Sequence, residues 1–249
     1  MTHSPLQSRS ETFVSRLLIT LTAAYVFCLL LSPPGWLPGE PIWAIRPETI
    51  QEILDESINF FFVLPILNQL GIHLMEAPVV HPAMEAFFNL AEAWIFMFLP
   101  LLLLDPRGGG LPRVSIWGAA MFLTNVFLMP YMALRLGQQS EPQNKPPGKK
   151  PIWVNVFGWI GLGVGAIALY WFGWAFPEFG SFWDRAIYLG QQVAGSRVTL
   201  AFCVDLVLFG VFQSILMGAA IPTGSPLRWL RFIPFWGLAL WLIFPAQPE

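Results

Sequence analysis

Charge is what this 249-residue chain has least of. Lys and Arg number 13, Asp and Glu 15, and together they make up only 11% of the residues, with a formal net charge of −2. A soluble domain carries about a quarter of its residues as charges, so a water-bathed globule is excluded. Nucleic-acid binding is excluded too, because it needs clustered Lys and Arg to neutralise phosphates. Cysteine is nearly absent: Cys28 and Cys203 each sit inside an apolar run, so there is no disulfide framework and no Cys/His metal spacing. With three histidines and no HxxxH or ExxH pair, no metal site is expected. Nucleophile elbows and phosphate loops are also missing, which disfavours hydrolysis and nucleotide-driven transport.

What the chain has in abundance is apolar surface: 55% of its residues are hydrophobic, including 22 Phe and 12 Trp. A helix needs about 20 apolar residues to cross about 30 Å of hydrocarbon. Runs of that kind occur at 12–32, 56–76, 82–104, 113–136, 152–176, 197–220 and 229–245. The expected fold is therefore all-α, a polytopic integral membrane helical bundle of about seven transmembrane helices forming a single membrane domain over 1–249. The first run is too long for a cleaved signal peptide and ends at Ser32-Pro33-Pro34-Gly35, a stop and not a cleavage site. The second run is interrupted by Pro65, and the last is short.

Segment 137–151 is polar, Pro-rich and basic, the composition of a flexible linker. Counting Lys and Arg on either side of seven crossings places the N-terminus on the cytoplasmic-type side and the C-terminus opposite. The acidic stretch Glu40 to Glu56 then lies on the far side, and its Glu48 and Glu52 suit the start of an amphipathic helix. Gly161 and Gly165 form a GxxxG step that lets helix backbones approach in lipid. Trp36, Trp43, Trp153, Trp174, Trp183 and Trp229 fall near the ends of the runs, where indole rings prefer the headgroup level.

The informative residues are polar ones inside apolar runs. Pro82 suits a first helical position, with His81 just before it. At 100° per residue Glu85, Asn89 and Glu92 fall within about a 60° arc. Ten residues beyond Pro82, Glu92 lies roughly 15 Å deep, and Asp205, nine residues from Ser196, about 13 Å from its own face. Carboxyls at such depth cost several kcal/mol and face protein or a water-filled cavity. Asn68, Asn125 and Gln213 are internal as well, so the expected site joins Glu92, Asp205 and Glu85 as proton-handling groups to His81, Asn89, Asn125, Asn68 and Gln213 as ligand-binding groups. The same groups serve equally as interhelical fasteners.

Three functions compete on these residues. The first is an accessory or binding protein for an apolar molecule such as a lipid, isoprenoid or pigment, or a helper of other membrane proteins. The second is a membrane enzyme performing acid/base isomerisation on an apolar substrate. The third is a proton-coupled transporter, for which no internal repeat is found. The composition points to a bacterial inner or photosynthetic-type membrane, with membrane lipid as one partner; the sequence leaves any cofactor unknown.

Overall fold

A computed structural model describes residues 5–138 and 151–244, with side chains from Ser10 onward. Most of the linker expected at 137–151 lies outside these residues. Among the described residues there are ten α-helices and no β-strand. They are α1 (Pro5–Val26), α2 (Pro47–Ile58), α3 (Val63–Gln69), α4 (Pro82–Leu103), α5 (Arg113–Leu123), α6 (Asn125–Leu134), α7 (Ile152–Trp174), α8 (Phe182–Gly195), α9 (Arg197–Ala220) and α10 (Trp236–Ile243).

Four of these stretches are long and apolar enough to cross a membrane: Ser10–Leu31, where α1 runs on into a π-helical turn, together with α4, α7 and α9. The protein is an all-helical integral membrane protein. Apolar side chains on α1 such as Phe13, Leu17, Ile19 and Leu21 are exposed, and only 6% of its apolar window is buried. That surface is stable in hydrocarbon and not in water. α4 is the opposite case, with 72% of its window buried. Pro82 occupies its first turn, as the sequence predicts.

Seven full-length spans are not found. Segment 56–76 holds the end of α2, a 3-10 turn at Phe60–Phe62 and the seven-residue α3, with no helix after it until Pro82. A helix of seven residues is about 10 Å long, a third of the hydrocarbon thickness. Segment 113–136 is split at Thr124, whose backbone (φ 36, ψ −111) no helix accommodates. Segment 229–245 is a 3-10 stretch, Pro226–Phe232, followed by the eight-residue α10. Hydropathy reads these three as spans because it registers apolarity alone and does not see where the backbone breaks.

The chain divides into two compact units, and α4, α7 and α9 each contribute residues to both. The first unit comprises residues 1–28, 95–159 and 207–249. In it Glu11, near the start of α1, pairs with Arg107, just past the end of α4, and Ser15 donates to the Ala133 carbonyl at the end of α6. Arg113 at the start of α5 and Tyr131 near the end of α6 both reach Gly108: a Cβ there would meet the Tyr131 hydroxyl at 2.6 Å and the Arg113 Cδ at 2.9 Å. A straight helix would hold residues 113 and 131 about 27 Å apart. α5 and α6 therefore form a hairpin folded back at Thr124.

A buried ion pair closes this hairpin. Asp105 accepts from Arg135 Nε at 2.7 Å and Nη2 at 2.6 Å, and from the Tyr131 hydroxyl at 2.6 Å. Burial alone would push the Asp105 carboxyl up; the Arg135 guanidinium, the Tyr131 hydroxyl and the Arg107 N–H together hold it below the usual carboxylate range.

The stretch after α9 is folded back in the same way. Gln213 Nε2 donates to the Ile233 carbonyl at 2.8 Å, its Oε1 accepts from the Phe235 N–H at 3.2 Å, and Ser214 donates to the Arg231 carbonyl. α10 then runs antiparallel to the start of α7. Gly158 lies against Ala239 and Leu242, and Asn155 donates to the Ile243 carbonyl.

The second unit comprises residues 29–94 and 160–206. It gathers the last residues of the π-helical turn that follows α1, the start of α4, the end of α7 and the start of α9. Arg197, at the first position of α9, donates to the carbonyls of Ser32, Leu37 and Pro38. Arg185 on α8, 1% exposed, donates to the carbonyls of Trp171, Phe172, Ala175 and Phe176. It thereby satisfies the last turn of α7 and complements the negative end of its dipole. Gly161 and Gly165 are buried here as the GxxxG step predicts, while Gly163 faces open space.

Candidate functional site

The site grows from the first turn of α4 in the second unit. Glu85, one turn into the helix, is 2% exposed. Its Oε2 accepts from the indole N–H of Trp171 on α7 at 3.0 Å, and its Oε1 is buried with no hydrogen-bond partner. Asn89, one turn deeper, donates to the Glu85 carbonyl at 2.9 Å and leaves its own Oδ1 unpartnered. Asn59, fully buried, donates to the Pro78 carbonyl at 3.0 Å and its side chain also interacts with the Glu85 carboxyl, while its own Oδ1 is unpartnered. Orphaned buried oxygens are uncommon in native interiors, and three of them cluster around this helix start.

The backbone around the cluster is strained. Phe61, Phe62 and Phe176 have positive φ values of 54 to 57°, a region that bulky L-residues rarely adopt. The Phe62 ring sits 5.0 Å from Trp171 and the Phe176 ring 5.8 Å from it. These aromatic contacts hold the indole whose N–H meets Glu85. Strain of this kind, of order 1–3 kcal/mol per residue, persists where surrounding packing over-determines it and concentrates at functional sites.

Two cavities flank the extended segment 77–81, with Val79 and Val80 in the walls of both. The larger, about 340 Å³, is lined by Pro65, Asn68, Gln69, Glu85, Phe176 and Phe179 among others. The smaller, about 210 Å³, is lined by Glu52, Asp55, Glu56, His81, Tyr188 and Thr199 among others. His81 stands between α4 and α8: its ring stacks on Tyr188 at 3.6 Å and meets Phe179 edge-on at 5.0 Å. Its Nδ1 accepts from the Ala83 N–H, and burial, with the Arg185 charge, lowers its pKa.

Compared with protein-family models, curated proteins and solved structures, the chain matches none. The site is therefore read from its own geometry.

Of the residues singled out in the sequence, Glu85, Asn89, His81 and Asn68 are gathered in the second unit, and Glu85 and Asn68 share the larger cavity. Glu92 and Asp205 are buried in the same unit, with Glu92 making no hydrogen bond among the described residues and neither lining these cavities. Asn125 and Gln213 belong to the first unit. Asn125 is fully buried at the turn into α6, and Gln213 serves the folded-back backbone at 231–235. Glu56, Asn59, Trp171 and Tyr188 were not singled out. The signal that existed was Asn59 beside an acidic helix end; nothing in the sequence marks Trp171 among twelve tryptophans. Among the described residues no cluster of His, Cys, Asp or Glu has metal-binding geometry.

Proposed function

We propose that this protein binds, within the membrane, an apolar molecule that carries a hydrogen-bonding end. The observation that carries the reading is Glu85 in the wall of a mainly apolar cavity of about 340 Å³, with its Oε1 left unpartnered behind that wall. Ligand pockets have this character: apolar walls with few, well-placed polar groups, and a volume of about 300–1,000 Å³. Glu85 lies about 5 Å past Pro82 along α4, so the polar end of the ligand stays near the membrane face and its body runs along Pro65, Phe176 and Phe179. A prenyl alcohol or another hydroxylated isoprenoid has this shape. The membrane type is a bacterial inner or photosynthetic one.

The proposed topology has four full crossings, α1, α4, α7 and α9, instead of the seven expected. Residues 33–81 then leave and return on one side, and the α5–α6 hairpin and the 226–243 stretch are re-entrant from the other. Non-helical backbone at membrane depth is tolerated only where protein satisfies it, which is what Gln213 and Ser214 do for residues 231–235. The N-terminus and residue 244 share a side, which we assign to the cytoplasm.

The binding reading is tested with farnesol, a prenyl alcohol, and farnesene, its hydrocarbon analogue, titrated into purified protein in maltoside micelles with Trp fluorescence as the signal. Farnesol binds saturably and more tightly than farnesene. Glu85→Leu weakens farnesol about tenfold or more, the worth of one hydrogen bond to a charged group. Equal binding of the two probes, or no saturable binding, sinks the reading. Topology is tested on a Cys28→Ala/Cys203→Ala background by labelling single cysteines introduced at Gly109 and Leu74. Four crossings place position 109 on the N-terminal side and position 74 opposite; seven crossings reverse both.

A further inference from the structure

We infer that the smaller cavity of the second unit is a binding site for a primary ammonium group. Its lining holds three carboxyls, Glu52, Asp55 and Glu56, and no Lys or Arg. Asp55 is partly satisfied by Gln51 Nε2 at 2.7 Å. Glu56 is different: it is 9% exposed and makes no hydrogen bond, although it lines a space of about 210 Å³. A buried carboxylate without a donor is costly, and the cavity beside it offers room for the missing donor. The hydroxyls of Ser196 and Thr199 and the ring of Tyr188 share the wall. These groups accept N–H bonds or offer an aromatic face to a cation.

The choice of a primary ammonium over other cations follows from the donor set. Glu56 makes no hydrogen bond, and the Thr199 hydroxyl and the Ser196 Oγ, which already accepts from the Thr199 N–H at 3.4 Å, have lone pairs to spare; an alkylammonium supplies three donors at a time and a quaternary ammonium none. Among the described residues no three acidic, histidine or cysteine side chains are arranged to hold a metal. The site is separate from the Glu85 cavity and stands whether or not that cavity takes an isoprenoid.

Without a cation, burial and the charges of Glu52, Glu85 and Asp55 push the Glu56 carboxyl up to about 8. The titratable groups facing it are Glu52 and Asp55 from α2, Glu85 from α4 and Tyr188 from α8, whose hydroxyl is held above its ordinary value by burial and the charges of Glu52 and Glu56, while Arg185 on α8 acts on the neighbouring His81. An ammonium group therefore binds in exchange for the Glu56 proton. Affinity rises with pH until the carboxyl is ionised, while the amine itself, with a pKa of about 10.4 like that of lysine, stays charged.

The test uses the full chain in uncharged maltoside micelles and n-butylammonium chloride as the probe, read as a thermal shift. Tetramethylammonium chloride and NaCl at equal ionic strength are the comparisons. Butylammonium gives a saturating rise in Tm that the other two do not, and its apparent affinity is roughly ten- to thirty-fold tighter at pH 9 than at pH 6.5, following ionisation of a group near 8. Glu56→Gln abolishes the saturating response, and Glu48→Gln, on the exposed face of the same helix, retains it. An equal response to tetramethylammonium, a response that survives Glu56→Gln, or an affinity flat in pH overturns the proposal. Should Glu56→Gln fail to fold, the pH series and the comparison of cations on the wild-type chain decide alone.

Two sources supply such a group, an aminophospholipid headgroup and a free amine. Native mass spectrometry from nanodiscs of phosphatidylethanolamine and phosphatidylcholine separates them. Selective retention of phosphatidylethanolamine assigns the lipid, butylammonium binding without such retention assigns a free amine, and neither signal overturns the site.

Discussion

Arg135→Ala removes the partner of a carboxylate that has little access to water. The Asp105 side chain is 0% and the Arg135 side chain 4% exposed, and two of the three side-chain hydrogen bonds to Asp105 come from the guanidinium. After the substitution Asp105 keeps only the Tyr131 hydroxyl and the 3.3 Å contact from the Arg107 N–H. Breaking a buried ion pair by deleting one partner costs about 3–5 kcal/mol, a hundredfold or more in the folded-to-unfolded ratio. Arg135→Lys falls between the two, because an ammonium cannot reproduce the two-pronged geometry. The double variant Asp105→Leu/Arg135→Met recovers most of the loss, since it leaves no uncompensated charge. The assay is unfolding of the maltoside-solubilised protein by SDS titration, followed by Trp fluorescence. An Arg135→Ala protein within about 1 kcal/mol of wild type, or a double variant no more stable than the single, refutes the claim that this pair latches the α5–α6 hairpin.

Gly158→Ala places a methyl 2.8 Å from the Ala239 carbonyl and 2.9 Å from the Leu242 Cβ, and the overpacking costs about 1–3 kcal/mol in the same assay. Glu92→Met leaves stability unchanged or raises it by about 1–4 kcal/mol, because a carboxyl without a hydrogen-bond partner is replaced by a side chain that needs none; a clear loss of stability would show that Glu92 fastens the helices. The raised Glu56 pKa means that the folded state favours the protonated form. Its contribution to stability is therefore fully present below the ordinary glutamate range and is lost as pH climbs to about 8. Comparing wild type with Glu56→Gln across pH 4 to 9 by thermal unfolding should show this slope disappear in the variant. Asp105 has the opposite sign: its depressed pKa contributes stability above the ordinary aspartate range, lost as pH falls through the lower folded value, and Asp105→Asn removes that acid dependence.

Composition by itself determined the solvent, because so few charges cannot cover a water-exposed surface. Run length determined α1, α4, α7 and α9, each about 20 apolar residues between breaks. The 3.6-residue period determined that Glu85 and Asn89 share a face, since that geometry is local to one helix, and Pro82 marked its start. Tertiary structure alone decided which apolar runs form one unbroken helix of spanning length. Segments 113–136 and 229–245 are as apolar as the four long helices, and hydropathy is blind to where the backbone of an apolar run breaks. The break in the former falls at Thr124, although Pro130, inside α6, is the more obvious breaker. The partner of each buried polar group was likewise undecidable in advance. Which of twelve indoles meets Glu85, and whether Gln213 serves a ligand or a backbone turn, depends on contacts between residues far apart in the chain, and no local pattern encodes them.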